Sequence, residues 1–284
     1  MNAIFLTLII IGVSMQQVSK KAFNARVPGG VFGFSAASAL AAAIVFLITS
    51  GGNLNFDPAI IAYSAAFATS YVTALVFSYL AVSTGSLSLS SLILQYSLII
   101  PAFYGLVFLN EPAKTTLFIG IALLLVSVVL INLEGKTEKK TITLKWGIYA
   151  LLAFVGNGAC STTQKIQQIR FDGNYKSEFM IIALIISVIV LGTIAIITEK
   201  RALIPNLKKG FVWYGMCGIF NGLSNFLVLV LSLRMAASVM FPVISAGGIA
   251  ATAFISAFIY KEKMSGFQKA GLVLGIASIV MLNL

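Results

Sequence analysis

The chain is a succession of apolar runs separated by short polar segments. Ten runs contain about 17 to 24 residues each, close to the ~20 residues that a helix needs to cross a bilayer core. The runs are residues 3–19, 31–49, 59–82, 87–109, 113–133, 144–164, 178–198, 211–233, 237–260 and 266–284. Backbone groups in lipid find no water to bind, so runs of this length predict helices. The pattern therefore predicts an all-α membrane protein with ten transmembrane helices.

The composition agrees with this prediction. Hydrophobic residues make up 59% of the chain and charged residues only 10%, whereas soluble domains average roughly 45–50% and about 25%. The first run has no positively charged segment before it and no small-residue cleavage site before Lys20. We therefore expect it to be a membrane span rather than a cleaved leader.

An internal repeat relates the two halves of the chain. A shift of 151 residues gives seven identities within residues 111–133, and a shift of 145 places Lys20 on Lys165. The less accidental matches are Glu111 with Glu262, Gly120 with Gly271, Ser127 with Ser278 and Asn132 with Asn283. We predict a first repeat at 1–134, a charged loop at 135–143 and a second repeat at 144–284. Five spans in each repeat make the second one inverted, as in many secondary transporters.

The basic residues predict the orientation in the membrane. Of the 19 lysines and arginines, 14 fall in loops on one side, and this side should be cytoplasmic. They are Lys20, Lys21, Arg26, Lys136, Lys139, Lys140, Lys145, Lys200, Arg201, Lys208, Lys209, Lys261, Lys263 and Lys269. The pattern predicts a multi-pass protein of the cytoplasmic membrane with both termini outside, and no nucleic-acid partner.

Several kinds of chemistry are excluded by residue type. The chain contains no histidine and two cysteines, which rules out imidazole catalysis and a Cys/His metal cage. It also lacks a Walker-type phosphate loop. We therefore expect no enzyme activity, no cofactor and no metal. None of the eight acids lies near the middle of a span, which favours neutral or zwitterionic solutes over organic cations.

Amide and phenol side chains within the spans are the candidates for binding a solute. We predict a binding role for Gln16, Tyr71, Gln95, Tyr96, Asn157, Asn221 and Asn225. Asn221 and Asn225 are four residues apart and so share one helix face. The alternative is that these groups only form hydrogen bonds between helices.

The charged residues at span ends leave two alternatives open. Lys20 and Lys165 either contact an anion or a gate, or extend to the membrane interface as snorkelling lysines. Glu111 and Glu262 precede spans, and we expect their carboxylates to cap helix N-termini.

Two segments carry a resemblance to a known family. They are Leu109-Asn110-Glu111-Pro112 followed by the helix through Gly120, and Tyr260-Lys261-Glu262-Lys263 followed by Gly271 and Gly275. With Pro242 in the ninth span, they resemble the drug/metabolite transporter superfamily in its ten-span EamA-type branch. The resemblance implies a cavity built by spans one, three, four, six, eight and nine, with five and ten peripheral.

The expected function is therefore secondary transport. A small polar organic metabolite would cross the membrane by alternating access, and the alternative is a channel or facilitator without alternating access. The expected partners are this small-molecule solute and the lipid bilayer. The spacings Gly218-xxx-Gly222 and Gly271-xxx-Gly275 allow close helix packing, either within the chain or between the protomers of a homodimer.

Overall fold

The structure, a computed structural model, describes residues 1–27, 29–84, 93, 96–132, 143–258 and 265–283. All regular structure in these residues is helical, which confirms the predicted all-α class. The helices are α1 (Asn2–Arg26), α2 (Val31–Thr49), α3 (Ala59–Thr84), α4 (Ile99–Phe108), α5 (Thr115–Asn132), α6 (Leu144–Arg170), α7 (Lys176–Glu199), α8 (Leu203–Ser232), α9 (Ala237–Phe258) and α10 (Gly266–Asn283). A short 3₁₀ turn, Lys200–Ala202, links α7 to α8.

Several of these helices are suited to a membrane. Four stretches of the described residues are long and apolar enough to cross it by length and composition: Asn2–Arg26, Val31–Thr49, Ala59–Ala81 and Lys176–Ser232. The last stretch contains both α7 and α8. Shorter apolar helices are Ile99–Phe108, Thr115–Ser127, Ala237–Ala251 and Lys269–Leu282. The count of ten spans stays a prediction, because parts of the predicted spans 87–109 and 237–260 lie outside the described residues.

Three helices extend at least six residues beyond the predicted apolar runs. The first run was predicted to end at residue 19, but α1 continues to Arg26. Similarly, α6 continues to Arg170 instead of ending at residue 164, and α8 begins at Leu203 rather than at residue 211. Hydropathy marks the limits of the apolar run, whereas glutamine, lysine and arginine are good helix formers. The polar ends are therefore helical as well.

The chain packs as two compact units, each containing residues from both predicted repeats. Unit 1 consists of Met1–Val72 and Ile166–Leu233, and unit 2 of Thr73–Lys165 and Arg234–Leu284. The helices α3 and α6 each contribute residues to both units. The predicted boundaries at 134, 135–143 and 144 describe the sequence repeat and stay a prediction.

In unit 1, α2 packs against α7 and α8. A Cβ atom on Gly218 of α8 would lie 2.4 Å from the backbone oxygen of Ser38, so this close approach requires glycine. The N-terminus of α2 is capped by Glu199, whose Oε1 accepts hydrogen bonds from Phe32 N at 2.9 Å and Gly33 N at 2.8 Å. A carboxylate distant in the sequence therefore satisfies the free N–H groups of a helix start.

In unit 2, α5 and α10 form a reciprocal antiparallel pair. Ser127 Oγ donates to Gly271 O at 2.6 Å, and Ser278 Oγ donates to Gly120 O at 2.8 Å. The repeat matches these two serines with each other and these two glycines with each other. The two hydrogen bonds are therefore related by the repeat, as in the self-complementary contact of a two-fold pair. The Gly271-xxx-Gly275 face is packed within the chain, because Gly275 also lies against Ser127.

Candidate functional site

The main polar feature of unit 1 lies between α1 and α8. Gln16 bonds to Asn221, and Gly12 and Phe23 of α1 lie against Ser224 and Gly210 of α8 respectively. Since the numbers rise along α1 as they fall along α8, the two helices are antiparallel. We call the following set the α1–α8 column: Gly12, Gln16 and Lys20 of α1 with Cys217, Asn221, Ser224 and Asn225 of α8.

Three of the predicted binding residues form one chain of amides in this column. Asn221 Nδ2 donates to Gln16 Oε1 at 3.0 Å. Asn225 Nδ2 donates to the backbone oxygen of Asn221 at 2.9 Å and to its Oδ1 at 3.2 Å. Gln16 is buried, and both asparagines are half-buried. The prediction that the two asparagines share a face is confirmed, and Gln16 joins them from the neighbouring helix.

A buried hydroxyl without a partner lies beside this chain. Ser224 is 5% exposed, and its Oγ has no hydrogen-bond partner in the part of the chain that the structure describes. A Cβ atom on Gly12 would lie 2.2 Å from this Oγ, so the hydroxyl occupies space that the glycine leaves open. An unsatisfied buried polar group costs about 1–3 kcal/mol. The hydroxyl is therefore available to bond to a bound molecule or water.

Lys20 extends the column by one turn beyond Gln16. It is half-buried, and it lies close enough to Cys217 of α8 to act electrostatically on the thiol. Within the described residues, Lys20 makes no hydrogen bond or ion pair. The end of α1 is six residues further on, about 9 Å along the helix. Arg26 at that end lies over the Trp213 ring, 4.7 Å from its centroid.

Tyr71, another predicted binding residue, lies in an aromatic group of unit 1. Its ring stacks on Phe67, with centroids 5.9 Å apart and planes at 13°. Phe67 in turn packs edge-on against Phe179 at 5.6 Å. Such stacked and edge-on pairs stabilise helix packing, and the Tyr71 ring contributes to this packing.

In unit 2, Asn157 meets a turn that interrupts the helical path into α4. Tyr96 is helical, Ser97 and Leu98 form a turn, and α4 begins at Ile99. Asn157 Nδ2 donates to Ser97 Oγ at 2.6 Å. Pro101 has no N–H for the carbonyl of Ser97, and this oxygen accepts from Ile100 N at 3.1 Å instead. A turn therefore precedes the proline, and α4 begins after it.

The other two predicted residues of this region have different outcomes. Tyr96 donates from its hydroxyl to Leu125 O at 2.9 Å, which fixes its side chain to α5. It lines a small, mostly apolar pocket together with Leu124, Pro242 and Ser245. Gln95 lies outside the described residues, and its predicted role stays untested.

A second polar group of unit 2 surrounds Glu111. Helix α4 ends at Phe108, and Asn110 takes a left-handed conformation with φ 50°. The turn directs Glu111 towards the start of α9, where its carboxylate accepts from Ala237 N at 2.7 Å and Ser238 N at 2.9 Å. The expectation that Glu111 caps a helix is correct in kind, but the capped helix is α9 rather than α5. Glu262 lies outside the described residues.

Lys165 completes this arrangement. Its Nζ lies 3.6 Å from Glu111 Oε1 and donates to Met235 O at 2.8 Å. The residue is 5% exposed and five residues inside the end of α6. The snorkelling interpretation of Lys165 is therefore wrong, because the side chain is buried in an ion pair and not extended to an interface. We call Glu111, Lys165 and the α9 N-terminus the Glu111 clamp.

Sequence reasoning missed this clamp and the role of Ser224. The repeat contained a signal for the clamp, since it aligns Glu111 with Glu262 and Lys165 with Lys20. It could not show that Glu111 and Lys165 contact each other. Ser224 gave no separate signal, because serines in apolar helices commonly bond to the preceding turn.

Comparisons with known proteins extend these observations. The family model of the EamA-like transporter family matches residues 141–284. No curated protein matches the sequence. A solved structure, described only as the crystal structure of a protein, aligns with 99% of this chain and 95% of its own, with a TM-score of 0.80 and 11% sequence identity. At this identity the likeness shows a shared fold alone.

The family match confirms the predicted resemblance and the apolar helices agree with it. The family consists of transporters rather than enzymes, and its members carry small solutes across membranes. The matched segment covers half of the chain, and the chain therefore belongs to the EamA-like transporter family as a multi-pass membrane transporter of small solutes.

Proposed function

We propose that this protein is a secondary carrier that moves a small polar organic solute across the cytoplasmic membrane by alternating access. The two inverted five-helix repeats and the termini-outside orientation are parts of this proposal. The reciprocal hydrogen bonds between α5 and α10 support the inverted repeat, because they join residues that the repeat matches.

The observation that carries the proposal is the amide chain of the α1–α8 column. Gln16, Asn221 and Asn225 offer carbonyl acceptors and N–H donors in one place, and the Ser224 hydroxyl beside them is unsatisfied. Hydrogen bonds between membrane helices average only about 0.6 kcal/mol, so packing alone gives little reason for three amides here. A solute with both donors and acceptors would use them fully.

Asn157 with Ser97 is a second candidate contact, located in unit 2. A turn within a helical path is typical of transporter binding sites, because it frees backbone groups. Three further residues remain predicted solute contacts, but with less support: Tyr71, Tyr96 and Gln95. The ring of Tyr71 stacks on Phe67, and the hydroxyl of Tyr96 already bonds to Leu125 O.

The test starts with ligand identification. The purified chain in detergent is screened by thermal shift against amino acids, nucleosides, sugars and quaternary amines, because a ligand that binds only the folded state raises Tm. A hit is then used in proteoliposomes. We expect counterflow: unlabelled solute inside accelerates uptake of labelled solute. A flux that shows no counterflow and no saturation would instead identify a facilitator.

The site is tested with Asn225→Leu and Asn157→Leu. We expect Asn225→Leu to abolish binding of the hit and its transport, with a folded, monodisperse protein. The matched control is Asn206→Leu, also on α8 but outside the column. Normal transport by both Asn225→Leu and Asn157→Leu would overturn the proposed placement of the site.

A further inference from the structure

The two lysines that the repeat matches have different surroundings. Lys165 is buried and paired with Glu111 at 3.6 Å. Lys20 is half-buried, and within the described part of the chain it has neither a hydrogen bond nor an ion pair. An ammonium inside a membrane protein without a counter-ion is costly. Lys20 therefore has capacity for a negative partner that Lys165 does not have.

The acids of unit 1 do not supply that partner. Glu199 accepts from the first N–H groups of α2, and Glu178 Oε1 accepts from Asn55 N at 2.8 Å. Asp57 caps its own turn by accepting from Ala59 N at 2.8 Å, and Asp172 is exposed in the turn after α6. Each of these carboxylates bonds to a backbone N–H elsewhere or is exposed, and none forms an ion pair with Lys20 in the described residues, although Glu199 Oε2 has no partner there.

The position of Lys20 connects it with the amide chain. Lys20 and Gln16 are four residues apart, so they share one face of α1. Cys217, on which the Lys20 charge acts, is likewise four residues from Asn221 on α8. Along the α1–α8 pair, the Lys20 ammonium therefore comes first, the amides of Gln16 and Asn221 lie one turn further on, and Ser224 lies at the far end.

We propose that Lys20 binds an oxyanion of the transported solute, a carboxylate or a phosphate, while the amides and Ser224 bind its uncharged polar part. This inference rests on the proposed function of the column as the solute site. It narrows the solute to molecules that combine an anionic group with hydrogen-bonding groups. An ammonium suits either oxyanion, because it acts as a compact charge with rotatable donors.

The test uses matched pairs of probes with the purified full-length chain in detergent. The carboxylate arm compares N-acetylated amino acids with their carboxamides, and the phosphate arm compares sugar phosphates with the parent sugars. Inorganic phosphate and acetate test the oxyanion alone. For wild-type protein we expect one arm to show a larger Tm shift for the acid, and that arm identifies the oxyanion.

The variants are Lys20→Met and Lys20→Arg, with Lys208→Met as the control for an exposed lysine on α8. We expect Lys20→Met to weaken acid binding about ten-fold to hundred-fold and to leave the uncharged probe unchanged. Lys20→Arg should retain the preference for the acid, and Lys208→Met should behave as wild type. If Lys20→Met is unfolded, the loss of the preference for the acid over the uncharged probe is measured with Lys20→Gln.

Three results would overturn the inference in distinguishable ways. Equal binding of acid and uncharged probes by wild-type protein, or a preference that survives Lys20→Met, contradicts the role of Lys20 alone. In these cases the loss of binding in Asn225→Leu would still support the proposed site. No binding of any probe by the wild type would contradict the column as a solute site, and the inference with it.

Discussion

The Glu111 clamp and the α1–α8 column are both polar regions within apolar helices, but their charged groups are bonded differently. In the clamp, the carboxylate has two backbone donors and a lysine, and the lysine has a carbonyl and the carboxylate. In the column, one hydroxyl and one ammonium have no partner within the described residues. An unsatisfied hydroxyl occurs in both regions, since Ser238 Oγ at the start of α9 also lacks a partner in the described residues. The two regions differ in their charges: paired ions hold a fold together, whereas an ammonium without a counter-ion is a reason to expect an anionic ligand.

The largest effect on stability is expected when the clamp is broken by Glu111→Gln. The glutamine oxygen retains one acceptor for the α9 N-terminus, but the buried ammonium of Lys165 loses the negative charge of Glu111. Breaking a buried ion pair in this way costs about 3–5 kcal/mol. Thermal unfolding in detergent and the yield of folded protein measure this loss of stability. The preference for one solute over another should not change.

The control for this prediction is the double variant Glu111→Gln with Lys165→Met. It also removes the buried charge of Lys165, so it should recover much of the stability that Glu111→Gln loses. Lys20→Met, at the matched position, should cost far less stability than Lys165→Met. Normal yield of Glu111→Gln with altered solute preference would assign the clamp to binding and remove the contrast between the two regions.

An intermediate effect is expected from Gly12→Ala in the column. The added Cβ would lie 2.2 Å from Ser224 Oγ, so this hydroxyl must leave the space it occupies, and overpacking of this kind typically costs about 1–3 kcal/mol. We expect a lower Tm and weaker solute binding.

Ser224→Ala provides the matched control for this change. The double variant Gly12→Ala with Ser224→Ala removes the colliding oxygen and should recover the Tm. If Gly12→Ala alone has wild-type stability and binding, the close approach of α1 to α8 at this point is not needed.

The smallest effects are expected at the α5–α10 pair. Ser127→Ala and Ser278→Ala each remove one hydrogen bond between helices, worth about 0.6 kcal/mol. Because the two bonds are related by the repeat, the two variants should lose the same free energy of unfolding within error. The two losses should add in the double variant. Unfolding of the three variants by guanidinium or SDS titration measures these losses. Clearly unequal losses in the two single variants would show that the two hydrogen bonds do not contribute equally to stability.

Much of the fold was predictable because the bilayer imposes a strong rule on sequence. The apolar runs gave the helices, and the spacing of Asn221 and Asn225 gave their common face. The helix ends were predicted less well, since Lys20 and Arg26 are polar but still helical. Hydropathy indicates where a side chain would cost free energy in lipid, and it does not indicate where the backbone stops being helical.

The site was predictable only in part, for a different reason. Residue type indicated that Gln16 and Asn221 must face inward, but they are 205 residues apart, and one sequence does not show that they meet. The same holds for Glu111, whose position before the fifth span suggested a cap on the next helix. Its actual partner depends on how α9 packs, which is a tertiary property.

The clamp and the Glu199 cap also have a consequence for biogenesis. Glu111 precedes the helix it caps by 126 residues, and α2 precedes Glu199 by 167. During synthesis, the start of α2 therefore has no cap until α7 has been made. The carboxylate of Glu111 likewise has no helix to cap until α9 has been made. A product that ends after the fifth helix would have an uncapped start of α2 and a Glu111 carboxylate without the N–H groups of α9. Such a product is a suitable substrate for quality-control proteases.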